Sequence, residues 1–448
     1  MLKSIRLDRF KKFKNNLITL KPYTILMGEN SSGKTTILQA INLALSTFSQ
    51  SELITIKNEK PHVRRKGIGL TELPGLNIND FRELYYGKIS RHGKQTKVDS
   101  ANIGALISLR DENGNDYKLQ VSSLFGGFNL KCLSTNKDLS KHPCLQQYQP
   151  LLISGFIGLR VTEERSFPVA IKHRLSSGNV SSIIRNLVLD LKKSEPDKYI
   201  MLKHRLNKDF NFVLDDIIFD EQRDLFIRAS YSDNLDDRLL SLDFNSSGSG
   251  YMQILQILTP IYTSCPDKCK VVLLDEPDAH LHPNMQIALA RSLKQIQKEL
   301  NIQIIISTHS AAIIKTANPS EVIPISSDNE VNLPLTNSHE VDDYIGQLDN
   351  YELAKTVISG KLIFFEDQNT EIFEVFDRIG NTHCFHGVNT AAIYRGRSKD
   401  DKTPFQIKPL LKQFLGKDID IHFVRDSDGL NEDAQKQLQG VWRRWGKA

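Results

Sequence analysis

The residues best suited to chemistry stand near the start of the chain, in the stretch GENSSGKT at positions 28–35. This stretch has the form G-x-x-x-x-G-K-[ST], whose glycines let the backbone turn sharply and bring its N–H groups onto phosphate oxygens. Lys34 is then placed to reach β- and γ-phosphates, and Thr35 to offer its hydroxyl to Mg²⁺. The alternative is a small-residue turn that only caps a helix. The pattern favours a phosphate-binding loop.

The sequence on either side of this loop predicts the elements that must hold it. Residues 23–27 are strand-forming, and the apolar residues after the loop recur at helical spacing. The loop is therefore expected where a strand ends and a helix begins, so that the positive end of the helix dipole adds to phosphate binding. The residues with helical spacing are Ile37, Leu38, Ile41, Ala44 and Leu45.

A pair of acids follows a second apolar run. Residues 271–274 are continuously apolar, as in a buried parallel strand, and Asp275, Glu276 and Pro277 come directly after them. Ligands of open α/β sheets bind outside the carboxyl ends of the strands. In that place Asp275 would hold Mg²⁺ through water, and Glu276 would take a proton from an attacking water. Acid pairs after strands are common, so this pair is informative only together with the loop.

A histidine follows a third apolar run. Residues 302–306 are apolar and lead into the sequence STHS, which contains His309. If this run is a strand of the same sheet, His309 lies at the edge that carries the phosphate loop and can reach a γ-phosphate, although a lone histidine is more often structural.

A small-residue turn at 246–250 opens an apolar helix before the acid pair, and taken alone it is a linker or a cap. Taken together in this order, the phosphate loop, the small-residue turn, the acid pair and His309 indicate a nucleotide-hydrolysing site.

Composition limits the class of protein. The chain has 448 residues, which fits two or three domains, and 40% of them are apolar, enough to build cores. No apolar run reaches the length of a membrane span, and the first residues lack the features of a signal peptide. A cytoplasmic protein is therefore expected. The net charge of +5 permits contact with nucleic acid but does not argue for it.

Three other features leave alternatives open. The five cysteines form no CxxC pair, and Cys265 and Cys269 suit half of a metal site, although isolated reduced thiols are favoured. The basic turn at 9–14 would touch nucleic acid, frame a nucleotide base by stacking, or be a solvated hairpin, the last being the default. The charged residues at 160–165 suit either the rim of a site or a surface loop.

The stretches between the motifs predict two inserts. Residues from about 50 to 165 have the pattern of strands and loops, including a hairpin across 107–121. Residues from about 180 to 225 have helical periodicity, with a break at 194–197 and a second helical stretch through Leu202, Leu206, Phe210 and Leu214, which predicts a helical insert at about 175–235. Because apolar heptads do not persist there, a long coiled coil is not expected. This argues against a chromosome-tethering ATPase whose nucleotide domain is split by a coiled-coil arm.

In their order along the chain, these motifs resemble those of the ABC-type ATPases. More narrowly, GENSSGKT, DEPDAHLHP and IISTHS are similar to motifs of the bacterial overcoming-lysogenisation-defect (OLD) family and related ATPases of anti-phage systems. The resemblance implies that Glu276 is the catalytic base, that His309 senses the γ-phosphate, and that a small-residue signature acts across a dimer interface. The residues it assigns to ATP are Gly28, Glu29, Asn30, Ser31, Ser32, Gly33, Lys34, Thr35, Thr36, Ser247 and Gly248, and those it assigns to Mg²⁺ are Thr35 and Asp275.

The last third resembles a different domain. Apolar runs at 361–365 and 419–424 are followed by Glu366 and by Asp426 and Asp428, which is similar to the Toprim domain of topoisomerases, primases and OLD nucleases. Converging carboxylates repel one another, and Mg²⁺ or Mn²⁺ relieves the repulsion while activating water for phosphodiester cleavage. To share a site, the two strands must be parallel neighbours. The alternative is that these acids only cap strands.

The sequence therefore predicts an α/β protein with two domains. Residues 1–345 are expected to form an ABC-type ATPase head, a mixed sheet with the phosphate loop, an antiparallel β-rich insert and a helical insert. Residues 346–448 are expected to form a smaller parallel Toprim-like α/β domain that is incomplete at its C-terminus.

The expected function is an ATP-hydrolysing effector of anti-phage defence whose head controls a metal-dependent Toprim nuclease acting on DNA or RNA. The alternative is an ATPase sensor with an inert Toprim-like unit that holds and releases a separate toxic effector. The expected partners are further copies of the chain, in a homodimer or a higher oligomer paired through heads that sandwich ATP, together with nucleic acid and a separate effector or sensor protein. No membrane partner is expected.

Overall fold

The computed structural model divides the chain into two compact units. The first is Met1–Ala317 with Ile325–Leu333, and the second is Asn318–Pro324 with Pro334–Ala448. None of the described helices combines the length and the apolar character needed to cross a membrane. The described residues are 1–28, 30–49, 54–57, 60–63, 76, 78, 80–89, 104–124, 127–132, 150–155, 162–176, 178–235, 238–326, 330–335, 350–365, 375, 379–380, 391–394 and 419–424.

Strands and helices alternate along much of the described chain. The strands are β1 (Leu2–Phe10), β2 (Phe13–Thr19), β3 (Tyr23–Met27), β4 (Ile54–Lys57), β5 (Lys60–Val63), β6 (Ala105–Asp111), β7 (Asp116–Leu124), β8 (Gly127–Cys132), β9 (Pro150–Ile153), β10 (Val213–Leu214), β11 (Ser230–Leu235), β12 (Arg238–Asp243), β13 (Val271–Asp275), β14 (Gln303–Thr308), β15 (Val322–Pro324), β16 (Val331–Asn332), β17 (Lys361–Phe365), β18 (Ala391–Tyr394) and β19 (Asp420–Val424). The α-helices are α1 (Lys34–Ser49), α2 (Pro168–Ser176), α3 (Ile184–Ser194), α4 (Pro196–Phe210), α5 (Ser249–Ser264), α6 (Pro283–Glu299), α7 (Ala311–Thr316) and α8 (Asn350–Ser359).

A buried parallel sheet forms the centre of the first unit. The strands that the first unit contributes to this sheet lie in the order β3-β14-β13-β9, and each pairs with its neighbour in the parallel direction. The strands formed by the three apolar runs are almost wholly buried, which explains why they are apolar without alternation. The register places Met27 opposite Thr308 and Ser307 opposite Asp275. The carboxyl ends of β3, β14 and β13 therefore meet at one edge, as the sequence predicted.

A second, mixed sheet carries the hairpin that precedes the phosphate loop. Its order is β16-β2-β1-β6-β7-β8, with β16 parallel to β2 and the other neighbours antiparallel. The predicted hairpin across 107–121 is confirmed, because β6 and β7 pair around the turn between Asp111 and Asp116. Phe10 and Phe13 face each other at the end of β1 and β2 and are fully buried.

The expected helical insert at about 175–235 is only partly helical. Helices α3 and α4 meet at the predicted break, where Glu195 lies between them. Helix α4 ends at Phe210 because Asn211 takes a left-handed conformation with φ of +53°, which asparagine tolerates better than most residues. The chain then forms the antiparallel sheet β10-β11-β12, so the prediction that helix continues through Leu214 is wrong.

The second unit contains a parallel three-stranded sheet. Its order is β18-β17-β19, with both outer strands parallel to β17. The strands predicted at 361–365 and 419–424 are therefore parallel neighbours, as a shared site requires. Phe365 lies opposite Val424, so β17 and β19 end level with each other at the same edge.

Candidate functional site

The two glycines of the phosphate loop allow close contacts that a larger residue would block. Gly33 has φ of +106°, and a Cβ there would lie 2.5 Å from the Cζ atom of Phe13. A Cβ at Gly28 would lie 2.8 Å from the carbonyl oxygen of Ile325 and closer still to the hydroxyl of Ser32. The loop is thus packed directly against the β1–β2 hairpin, and both positions require glycine.

Lys34 is nearly buried beneath the loop. It is 5% exposed, its Nζ donates to the carbonyl oxygen of Gly28 at 2.9 Å, and the same atom lies 2.7 Å from Nε2 of His309. Burial lowers the pKa of Lys34 to about 8, against the opposing effect of Glu276 and Asp275. Burial and the charge of Lys34 also lower the pKa of His309, which favours a neutral imidazole that accepts at Nε2. The lysine ammonium is therefore held between the loop and the end of β14.

The acid pair lies at the same edge of the sheet. The hydroxyls of Thr35 and Ser307 donate to Oδ1 of Asp275 at 2.9 Å and 2.5 Å. Glu276 has φ of +50°, and its N–H donates to the Ser307 carbonyl oxygen at 3.0 Å. This left-handed conformation costs a non-glycine residue about 1–2 kcal/mol. It leaves the carboxylate 53% exposed, with Oε1 3.6 Å from Nε2 of His309.

The oxygen atoms gathered here suit magnesium. Mg²⁺ prefers carboxylate, hydroxyl, water and phosphate oxygens. Thr35 and Asp275 place a hydroxyl beside a carboxylate, and the buried hydroxyl of Ser32 has no hydrogen-bond partner among the described residues. Thr35 and Asp275 would hold the ion, which when bound neutralises charge on the nucleotide phosphates.

The residues whose hydrogen bonds connect the strand ends at this edge of the sheet were not identified from the sequence. The Thr308 hydroxyl donates to Oδ1 of Asp278 at 2.5 Å and accepts from the N–H of Ser310 at 2.9 Å. The Ser310 hydroxyl donates to Oε1 of Gln286 at 2.7 Å. Burial raises the pKa of Asp278. These contacts join the ends of β13 and β14, and the sheet register, which is not visible in the sequence spacing, brings them together.

The basic turn of the β1–β2 hairpin is part of the site, so its default interpretation as a solvated hairpin is wrong. Phe13 packs against Gly33, and Lys12 lines the phosphate cleft. In the sequence, the only indication of this role was that an aromatic residue, Phe13, directly follows the basic residue Lys12. The cleft has a volume of about 290 Å³ and is lined by Lys12, Asn30, Ser31, Gly33, Lys34, Thr35, Thr36, Glu276 and His309.

Ser247 and Gly248 lie in a separate turn and do not line this cleft. The Ser247 hydroxyl donates to the carbonyl oxygen of Phe244 at 2.8 Å, and Gly248 precedes the first residue of α5. A Cβ at Gly248 would meet nothing within 4 Å. Asp243 caps the turn by accepting from Asn245 N–H at 3.0 Å. The turn is therefore preformed, and space is open around Gly248.

In the charged cluster at 160–165, Glu163 and Glu164 do not line the phosphate cleft but line a separate cavity of about 400 Å³. Glu163 is 6% exposed and accepts from the N–H groups of Arg185 and Asn186 at 2.9 Å and 2.7 Å. It thus satisfies free N–H groups in the first turn of α3. Burial raises the pKa of Glu163. The role of this carboxylate is structural, and Arg160 lies outside the described residues.

Several predicted residues cannot be placed. Glu29 of the loop and the three acids Glu366, Asp426 and Asp428 lie outside the described part of the chain. Cys265 and Cys269 are both buried and form no disulfide, and the Cys269 thiol donates to the carbonyl oxygen of Val271 at 3.2 Å.

Sequence comparison identifies one family. A family model described as an AAA ATPase domain matches residues 1–74 and 161–314, more than half of the chain. The matched segments contain the phosphate loop, the acid pair and His309. No curated protein matches the chain in sequence.

Comparison with solved structures finds similarity to many chains, among them three heads of SMC proteins. One is an SMC head bound to the C-terminal winged-helix domain of ScpA, with 14% identity over 76% of this chain and 98% of that structure, and a TM-score of 0.43. The SMC head domain of Thermotoga maritima has 14% identity, coverage of 75% and 99%, and a TM-score of 0.40. An Smc head with an extended coiled coil, bound to the C-terminal domain of ScpA from Pyrococcus furiosus, has 13% identity, coverage of 77% and 98%, and a TM-score of 0.41.

Proposed function

The chain belongs to the AAA ATPase domain family, and we propose that it acts as an ABC-type ATPase head that controls a metal-dependent nuclease in bacterial defence against phage. In this proposal residues 1–345 bind and hydrolyse ATP in the cytoplasm. Residues 346–448 form a Toprim-like unit that cleaves DNA or RNA.

The observation that carries the ATPase part is the meeting of three strand ends at one edge. Lys34 and His309 lie 2.7 Å apart, and Thr35 donates to Asp275 at 2.9 Å. In the proposed reaction Lys34 binds the β- and γ-phosphates, and Glu276 accepts a proton from the attacking water. The water oxygen bonds to the γ-phosphorus as the bond to the bridging oxygen breaks, and ADP leaves. His309 contacts the γ-phosphate and so distinguishes ATP from ADP.

A paired state completes this proposal. The turn containing Ser247 and Gly248 contributes no atom to the phosphate cleft of its own chain, while open space surrounds Gly248. A second copy of the chain would bring this turn onto the γ-phosphate, so that two heads enclose ATP between them.

The nuclease part rests on the second unit. The parallel pairing of β17 with β19 supports it, because Glu366 follows one strand while Asp426 and Asp428 follow the other. Carboxylates delivered from level strand ends are expected to bind one or two Mg²⁺ or Mn²⁺ ions spaced about 4 Å apart.

The test is a cleavage assay on the full chain with plasmid DNA and single-stranded RNA, in Mg²⁺ or Mn²⁺, with and without ATP. We expect the wild type to cleave one of these substrates and Asp426→Ala to lose at least about a hundredfold of the rate, because a metal ligand is removed. The matched control is Asp420→Ala. Asp420 is an exposed acid at the first residue of β19, the end of the strand away from Asp426, so this variant should keep the wild-type rate.

Equal cleavage by the wild type and Asp426→Ala would reject the nuclease assignment. Absence of cleavage by the wild type, with ATP hydrolysis intact, would instead favour the alternative. The chain would then be an ATPase regulator that holds and releases a separate effector.

A further inference from the structure

The side chain of Gln286, in the first turn of helix α6, bonds both to the loop that precedes this helix and to the segment that follows β14. Its Nε2 donates to the carbonyl oxygens of Asp278 and Leu281 at 3.2 Å and 2.9 Å, and its Oε1 accepts from the Ser310 hydroxyl at 2.7 Å. Because a primary amide carries both of its hydrogens on nitrogen, two carbonyl oxygens on one side and a donating hydroxyl on the other fix its orientation. Gln286 therefore joins two segments that are distant in the sequence.

These two segments carry the acid and the histidine of the phosphate cleft. Glu276 begins the loop, and His309 stands between Thr308 and Ser310. The Thr308 hydroxyl donates to Oδ1 of Asp278 at 2.5 Å, while Ser310 is bonded through the glutamine amide. The backbone on both sides of His309 is thus connected to the loop that follows Glu276.

The loop needs such support because part of its backbone is in an unfavourable conformation. Glu276 has φ of +50° and His280 has φ of +62°. Residues other than glycine keep this left-handed conformation where surrounding contacts hold them in it. Gln286 supplies two such contacts between these positions and just after them, at the carbonyl oxygens of Asp278 and Leu281.

The spacing of Glu276 and His309 matters for the proposed reaction. Nε2 of His309 lies 3.6 Å from Oε1 of Glu276 and 2.7 Å from Nζ of Lys34. Glu276 takes a proton from the water that attacks the phosphate, and His309 contacts that same phosphate, so a shift of either side chain misplaces the water. Gln286 is not among the described residues that line the cleft. Any effect it has on the reaction passes through the two segments that it joins.

We propose that Gln286 is a positioning residue for ATP hydrolysis, which holds His309 in register with Glu276 through its hydrogen bond to Ser310. This inference rests on the proposed nucleotide site. Because Gln286 touches neither the phosphate loop nor Thr35, its loss slows turnover and leaves ATP binding intact. The hydrogen bond to Ser310 transmits the effect, so removing either of its two partners has the same consequence.

The experiment combines steady-state ATP hydrolysis with calorimetric titration of ATP, on the full chain with Mg²⁺. Gln286→Met keeps the length of the side chain but removes its donors and its acceptor. We expect kcat to fall about tenfold, because the histidine is misplaced, and the Kd for ATP to stay within about threefold of the wild type. Ser310→Ala, which deletes the partner hydroxyl, should also lower kcat about tenfold. The double variant should lose about tenfold and not about a hundredfold, because both changes remove one interaction.

The matched control is Gln297→Met, on the same helix. Gln297 is 9% exposed, and its Nε2 donates to the carbonyl oxygen of Ile302 at 3.1 Å. Its loss removes a hydrogen bond from a side-chain amide to the backbone, as Gln286→Met does, but the bond lies at the other end of α6. We expect Gln297→Met to keep kcat within about twofold of the wild type. Chemical denaturation of all variants shows that each is folded under the assay conditions.

An unchanged kcat in Gln286→Met would overturn the assignment and leave the nucleotide site standing. Equal losses of kcat in Gln286→Met and Gln297→Met would show a general structural effect and would contradict it as well. A loss of about a hundredfold in the double variant would show that Gln286 and Ser310 act independently, and weaker ATP binding at normal kcat would place Gln286 in binding; either result contradicts the proposal. A wild type that binds no ATP would reject the proposed function itself, and this inference with it.

Discussion

Single residues decide the shape of the phosphate cleft, and Gly33 is the most constrained of them. Its φ of +106° is unfavourable for any other residue, and the ring of Phe13 occupies the space that a Cβ would need. The loop can therefore keep its contact with the hairpin only if position 33 has no side chain. This contact also fixes Lys12, so a substitution at Gly33 disturbs both sides of the cleft.

Gly33→Ala should weaken ATP binding by at least about tenfold. The added methyl group forces the loop to move away from Phe13 by about 1 Å, and a displacement of that size is enough to disrupt a binding site. Calorimetric titration with ATP measures the loss. Gly114→Ala is the matched control, since Gly114 also has positive φ, +81°, but a Cβ there would meet nothing within 4 Å. It should cost about 1 kcal/mol of stability and leave ATP affinity unchanged. Wild-type affinity in Gly33→Ala would contradict the packing argument.

At the scale of elements, the pair formed by Arg185 and Asp243 connects helix α3 to the turn before α5. Nη2 and Nη1 of Arg185 donate to Oδ1 and Oδ2 of Asp243 at 2.8 Å and 2.9 Å, and the Arg185 side chain is 4% exposed. The guanidinium also lies 5.6 Å from the ring centroid of Phe244. Because Asp243 caps the turn that leads to Ser247, this pair holds the proposed signature in place.

Asp243→Asn should lower the free energy of unfolding by about 2 kcal/mol, since it removes the carboxylate charge that is paired with a buried guanidinium. The effect should be smaller than for a fully buried pair, because the Asp243 side chain is 48% exposed. Chemical denaturation measures it. Asp216→Asn is the control, as Asp216 is 67% exposed and lies 3.5 Å from Lys192, and it should change stability by less than about 1 kcal/mol. Equal effects of the two substitutions would contradict the structural role of Asp243.

Most of the elements around the candidate site were predictable because they are buried parallel strands. Such strands are apolar on both faces, so β3, β13 and β14 stand out in the sequence as continuous apolar runs. The order of motifs then placed the loop, the acid pair and His309 at one edge. The sheet β10-β11-β12 was not predicted, because the end of α4 depends on a left-handed Asn211, which leaves little trace in apolar periodicity.

The parts of the site that were not predicted depend on contacts between distant elements. Asp278 meets Thr308 only because β13 and β14 pair with Asp275 opposite Ser307. Lys12 reaches the cleft because Phe13 packs against Gly33. Neither the register nor the packing follows from the spacing of residues along the chain. The roles of Glu366, Asp426 and Asp428 stay predictions.

For the whole molecule, ATP binding and ATP turnover should be separable. Glu276→Gln keeps the size of the side chain but cannot accept a proton, so the first chemical step lacks its base. Lys34, Thr35 and Asp275 are untouched, so the variant should bind ATP with its normal affinity. With ATP held in place, two copies should stay paired, and sedimentation of the variant with ATP should show a dimer.

The deciding measurement is the steady-state rate of ATP hydrolysis by Glu276→Gln beside the wild type and the exposed control Glu221→Gln. We expect Glu276→Gln to hydrolyse ATP at least about a hundredfold more slowly while binding it normally, and Glu221→Gln to match the wild type. Hydrolysis by Glu276→Gln at the wild-type rate would contradict the assignment of the catalytic base and of the cleft as the site of reaction.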